Sequence, residues 1–484
     1  MKLAGIGRVV LVVAVVFVAA WLCAIAYWRG SNAAPGGGQM LLFLGVLPLA
    51  LLGVIWLARR VRGSRGAAPT RAKAAATAAG DGGEAEAAPA MECLASALYL
   101  PCGDDPMQVL ALLPAPPRPG LHPGFRDRDG FPVLAAHVDG LRVDGVVATL
   151  GGSRDMAQWI AQAGERARAL ALLEPVATAL FDHAARLLPP LPAAAERVVA
   201  GLRHTNAPGA RNAVRIHALL PASWGGPLRQ QIGDWLLGQA LAAGIDGRRI
   251  ALDAVAADGP DATWRLLDAI DADARRGDAW HLLLACDSLV GERSVQQLEA
   301  SGRLMDSRRT EGLVPGEGAA GVLLRFPDGP VPADPAQAVA LHRAVRATLP
   351  PGSQPRAAAR ASGELLSLAL RRAGHGAETV ALVLSDADQR SSRVVEASIA
   401  AAAACPDLDV ATQCAAIGVP CGETGPVSPL ALLALAAAQV QASGQPALVF
   451  SFATAGDRVA AVVAPIATSP PSPGQAGVAP PAAT

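Results

Sequence analysis

The stretch GLVPGEGAAGVLL at residues 312–324 places the tightest limit on what this chain can fold into. It reads as a turn feeding a strand that offers no polar face, so that strand must be buried. Gly316 and Gly318 permit tight turns and close backbone approach, while the Glu317 carboxylate between them can accept nearby backbone donors. Gly316, Glu317 and Gly318 are therefore expected to serve a structural motif rather than to bind a ligand.

Apolar runs of strand length recur at residues 108–113, 133–137, 214–220, 250–255, 280–286, 320–326, 380–384 and 447–452, with a closing strand at 458–463. Ala455, Gly456 and Asp457 supply the turn before the last one. Segments of helical length, such as 153–174, 227–243 and 262–276, lie between them. This alternation predicts a layered α/β domain with largely buried strands. A chain of 484 residues, 52% hydrophobic and 17% charged, has material for a large core. Its 41 basic and 41 acidic residues cancel, so no global charge points to nucleic acid.

Two uncharged apolar spans, 9–28 and 40–57, precede all of this. The first, as a helix, is long enough to cross a bilayer core of roughly 30 Å, and the short RGSNAAPGGGQ between the spans predicts a two-helix transmembrane hairpin. A cleaved signal peptide is the alternative for the first span, but aromatic and basic residues and then a second span follow it. Lys2 and Arg8 precede the hairpin, Arg29 alone lies in its loop, and Arg59, Arg60, Arg62, Arg65, Arg71 and Lys73 follow it. The positive-inside rule then puts both termini in the cytoplasm. The expected organisation is a transmembrane hairpin at 1–62, a flexible linker at 63–90, a cytoplasmic domain at 91–464 and a disordered Pro-rich tail at 465–484. Arginine and alanine dominance fits a GC-rich bacterium, which makes the membrane a bacterial inner membrane. Cysteines outside it should be reduced thiols, and without a CxxC pair or suitably spaced histidines they suggest no zinc site and no cofactor.

LLLACDSLV at 282–290, GLVPGEGAAGVLL at 312–324, VALVLSDADQRSSRVVE at 380–396 and GETGPVSPLALLALA at 422–436 resemble, in order and spacing, segments of the β-ketoacyl synthases of the thiolase-like superfamily. The resemblance covers about 250–463 and implies a thiolase-like layered α/β/α domain. Active members need a nucleophilic cysteine at a helix N-terminus and two basic groups, usually histidines, commonly with a lysine. The resemblance puts the nucleophile in AADGPD, residues 256–261, which has neither cysteine nor serine, and the histidines near Asp386 and Glu423. No histidine follows His375 and no lysine follows Lys73. The chain thus resembles a catalytically degenerate member, a pseudoenzyme with no catalytic residues of the usual kind.

Cys286, ahead of Asp287 and Ser288, and Cys421, ahead of GETG, are the two thiols a recruited acyl-transfer chemistry would use. His281 lies five residues before Cys286, which on a strand is the opposite face. Leu150, Gly151, Gly152 and Ser153 could cap a helix, His204, His217 and Asp253 form a triad only through the tertiary fold, and Gly103, Asp104 and Asp105 read as a solvated turn. The function expected is a membrane-tethered, non-catalytic thiolase-like adaptor or scaffold. A bacterial secretion apparatus is one setting, and the fold implies a homodimer or a heterodimer with another thiolase-like protein. The alternative is an enzyme binding or transferring acyl thioesters; a structural subunit of a membrane complex also remains open.

Overall fold

Strands without a polar face can be satisfied only between two layers, and the computed structural model puts them there. It describes residues 90–150, 154–189, 195–199, 202–206, 213–273, 279–327 and 338–466. The expected hairpin at 1–62, nearly all of the expected linker and the tail beyond 466 lie outside these residues. Among the described residues no helix is long and apolar enough to cross a membrane.

Eleven strands form one mixed sheet. They are β1 (Met91–Tyr99), β2 (Val214–Pro221), β3 (Ile250–Ala257), β4 (Trp280–Ser288), β5 (Glu317–Arg325), β6 (Val339–Leu341), β7 (Val345–Thr348), β8 (Leu382–Asp388), β9 (Cys414–Ile417), β10 (Ala447–Ser451) and β11 (Asp457–Pro465). Their order is β9-β8-β10-β11-β6-β1-β5-β4-β2-β3, with β7 beside β11. The order contains the same half twice. In one half β2 runs parallel to β3 and β4, and β5 lies antiparallel between β4 and β1. In the other β8 runs parallel to β9 and β10, and β11 lies antiparallel between β10 and β6. The halves join where β1 meets β6, from Met91 opposite Leu341 to Cys93 opposite Val339.

The principal helices follow the same duplication: α1 (Gly164–Leu187), α2 (Gly226–Ala242) and α3 (Pro260–Asp273) in the first half, α4 (Pro355–Ala373), α5 (Ser391–Ala404) and α6 (Val427–Ser443) in the second. Alternate side chains of β4 separate two cores, Leu282, Leu284 and Cys286 packing with α1 and Leu283 and Ala285 packing toward α6. On β10, Leu448 and Phe450 likewise join α4 and α5, while Ala447 and Val449 join α6. Helix α6 therefore lies between the halves, touching β1, β4 and β5 on one side and β8, β10 and β11 on the other. Its sequence VSPLALLALAAAQVQAS is apolar nearly all round, as a helix covered on every side must be.

Three expectations change. The apolar run at 108–113 belongs to a helix, Pro106–Leu112, because Asp105 accepts hydrogen bonds from Met107 N and Gln108 N and Pro106 opens the first turn. The helix expected at 153–174 is two helices, Arg154–Ala161 and α1. The strand at 133–137 is the short Pro132–Ala135, paired with Gly120–Arg126 outside the main sheet. The central strand β1 carries Glu92 and Ser96 among its apolar residues and gave no clean strand signal.

Leu435 on α6 is fully buried between the halves. Leu435→Ala should lower unfolding free energy by about 2–5 kcal/mol in urea titration.

Candidate functional site

Glu317 opens β5 with none of its surface exposed. A carboxylate so placed needs compensation, and it has four donors. Arg168 of α1 donates through Nε at 2.8 Å and through Nη2, Ser288 Oγ at the end of β4 donates at 2.9 Å, and Val138 N at 2.8 Å. Arg168 also donates to the Val138 carbonyl at 2.8 Å. The preceding glycine is required for a different reason: a Cβ at Gly316 would overlap the Cys421 carbonyl oxygen. Glu423 N donates to Val314 O at 2.9 Å, and Gly422, with φ +64°, lets the 421–425 loop pack against the strap formed by residues 314–316.

The loop, through residues 421–424, and residues 311–313 that lead into the strap line a cavity of about 660 Å³. The rest comes from the segments just beyond the carboxyl ends of β3, β8 and β10, where open α/β sheets place their sites. Asp258 follows β3, Asp386 and Asp388 close β8, and Phe452 and Thr454 follow β10. Arg303, Arg309 and Glu311 reach in from the segment before β5.

Nine charged side chains stand among the lining residues. Arg390 forks onto Asp388, Nε lying 2.8 and 2.9 Å from its two oxygens, and Arg393 stands 3.8 Å from the same carboxylate and over the Phe452 ring. Asp386 accepts from Ser451 Oγ at 2.5 Å and Phe452 N at 2.7 Å, yet burial outweighs these bonds and raises its pKa. Behind the 421–425 loop, Asp287 abuts Gly425; burial, and next the negative charge of Glu423, push its carboxyl up to about 7.

The sulfur in this wall is Cys421, buried and 3.4 Å from the sulfur of Cys102, with its pKa raised first by that hydrogen bond and then by burial. Cys286 lies inside the β4 core with its pKa raised well above the ordinary thiol value by burial, and it does not line the cavity. His281 contacts His217 rather than Cys286, Nδ1 to Nε2 at 3.2 Å. His217 and Asp253 are cross-strand neighbours, whereas His204 sits on Leu202–Asn206, outside the main sheet. Asp105 caps a helix, and residues 151–153 lie outside the described ones. Among the described residues no group of three or more His, Cys, Asp or Glu is arranged to hold a metal ion. Neither the Cys102–Cys421 contact nor the Arg390–Asp388 fork carried a signal in sequence: the thiol pair joins distant segments, and DADQR has the composition of a solvated loop.

No protein-family model and no curated protein matches the sequence. Solved structures do match. A ketosynthase from module 6 of the bacillaene synthase of Bacillus subtilis 168 superposes with a TM-score of 0.52 at 10% identity, over 77% of this chain and 71% of that one. The fold is that of the ketosynthases. The ishigamide ketosynthase/chain length factor matches over 78% of this chain and 100% of that one, at 17% identity and a TM-score of 0.49. A type II PKS acyl-carrier protein in complex with its ketosynthase matches at 13% identity and 0.49, over 78% and 100%. In this ketosynthase-like frame the three stretches that the resemblance assigns to nucleophile and histidines converge: Asp258, Asp386 and Glu423 line one cavity.

Two outcomes follow from this geometry. Gly316→Ala should cost about 1–3 kcal/mol or more, because the obstructing atom is backbone, and denaturant unfolding will measure it. The folded state holds the Asp287 proton up to about pH 7, whereas the unfolded chain releases it near about pH 4. The folded form therefore binds more protons across that window, and stability falls as pH rises through it. Asp287→Asn should flatten this decline and melt above the parent at about pH 8, read by thermal scans across pH.

Proposed function

We propose that this chain is a membrane-tethered, non-catalytic thiolase-like adaptor. The observation that carries the reading is the lining of the strand-end cavity, where three carboxylates, Asp258, Asp386 and Glu423, stand at the positions that the resemblance gives to a thiol and two imidazoles. A thiolate nucleophile needs a nearby cation or base to form, and carboxylates oppose both that ionisation and the build-up of enolate charge. Cys421, the thiol in the wall, is buried and hydrogen-bonded to another thiol.

An adaptor needs a surface to present, and β3 supports one. It is the edge strand of the first half, and its sequence IALDAVAA carries one charge. Ala251, Asp253 and Ala256 are exposed, and Leu252, Ala254 and Val255 are half-buried. An apolar edge of this length invites strand pairing with another chain unless it is covered. A second thiolase-like subunit, the same chain or a relative, is the partner this edge suits. Among the structural neighbours, one is named a ketosynthase/chain length factor and another is a ketosynthase complexed with an acyl-carrier protein. The two apolar spans at 9–28 and 40–57 would tether the adaptor to a bacterial inner membrane, with both termini on the cytoplasmic side.

The second reading, acyl transfer through Cys421, has in its favour that this sulfur belongs to the cavity wall. One experiment separates the two. Full-length chain, its fold verified by circular dichroism, is incubated with malonyl- and long-chain acyl-thioesters and weighed by mass spectrometry. The adaptor reading expects unmodified protein; a covalent acyl adduct that disappears in Cys421→Ala would overturn it.

A further inference from the structure

Two cysteines separated by 319 residues of sequence meet beside the cavity, their sulfurs 3.4 Å apart. Cys102 stands in the tight turn after β1, which is closed by paired hydrogen bonds between Leu100 and Gly103 at 2.9 and 3.0 Å. It is half-buried, and Asp104 and Asp105 beside it are exposed, so a small solute can reach it. Cys421 ends the short helix Gly418–Cys421 and is buried. One thiol thus follows the leading strand of the first half, and the other precedes the central helix of the second.

We propose that Cys102 and Cys421 form a peroxide-oxidisable dithiol, in which Cys102 is oxidised first and Cys421 resolves it to a disulfide that locks the two halves together. The Cys102 sulfur attacks one oxygen of hydrogen peroxide, the O–O bond breaks, and the departing hydroxide takes the thiol proton as water, leaving a sulfenic acid. The Cys421 sulfur then attacks the Cys102 sulfur, the S–O bond breaks, and hydroxide leaves with the Cys421 proton as a second water. Two thiols have lost two electrons, and one peroxide has become two waters.

The surroundings select this pair. The thiol hydrogen bond from Cys421 is the largest influence on Cys102 and lowers its pKa, the direction that favours thiolate. Elsewhere burial works the other way, pushing Cys93 up to about 12 and Cys405 and Cys414 up to about 11. A disulfide needs the sulfurs to close from 3.4 Å to about 2.05 Å. Because the closed loop is very long, the bond should raise resistance to unfolding. The inference stands whether or not the cavity binds acyl groups.

The test treats the full-length chain with equimolar hydrogen peroxide, then denatures, alkylates and digests it for mass spectrometry. The expected product is a Cys102–Cys421 cross-linked peptide, lighter by two hydrogens and released by dithiothreitol. In Cys421→Ser the reaction should stop at a Cys102 sulfenic acid that dimedone traps, and in Cys102→Ser the Cys421 thiol should stay alkylatable. Full alkylation of both cysteines after peroxide, or a bond formed between other cysteines, overturns the proposal. The parent chain gives a readout that needs no variant: peroxide should raise its melting temperature by several degrees, reversibly with dithiothreitol, and an unchanged or lowered value contradicts the lock.

Discussion

One buried carboxylate organises the centre of this protein. Glu317 has no exposed surface, and its carboxylate is held by Arg168 and by donors from Ser288 and Val138. Those partners come from helix α1, the end of β4 and the segment preceding residue 139, and Glu317 itself begins β5. Four pieces of chain are therefore fixed by one group. An ion pair of this kind adds little over a well-packed apolar substitute, but removing one partner leaves an uncompensated charge in the interior.

The cavity inherits its shape from that clamp. Gly316, one residue before Glu317, packs its bare Cα against the Cys421 carbonyl, and Val314 accepts the Glu423 amide. The strap held by Glu317 is thus continuous with the loop that carries Cys421 and Glu423 into the cavity wall. These contacts are made by backbone groups and by the Glu317 clamp, not by the Cys421 thiol. Frame and site chemistry are separable, which is how a chain can keep the ketosynthase fold while its cavity presents aspartate, glutamate and arginine.

The strands most readable in the sequence are those with almost no polar face, such as β2, β4, β5, β10 and β11, because apolar runs of that length admit few other structures, whereas the short β6, β7 and β9 gave no such run. Residues 447–452 and 458–463 fall on β10 and β11 for this reason. The duplication was hidden, since β5 and β11 occupy equivalent places with the unrelated sequences EGAAGVLLR and DRVAAVVAP. β1 was missed because Glu92 and Ser96 interrupt its apolar pattern; Glu92 in fact pairs with Arg325 across the sheet. Leu110 and its neighbours read as a strand because periodicity alone cannot tell a short apolar helix from a strand, and the Asp105–Pro106 start signal was the feature that decides it. In the site, Asp386 and Glu423 could be located only through resemblance. Arg168 was invisible, since an arginine on a long helix passes for part of a solvated face until its partner is known.

The most direct test of this account is a double-mutant cycle on Arg168→Met and Glu317→Gln, followed by denaturant unfolding. If Glu317 is the clamp, each single change should cost about 3–5 kcal/mol, and the double variant should cost far less than their sum, because neither partner is then left charged and alone. Small, additive losses would contradict it and would move the origin of the cavity's shape elsewhere.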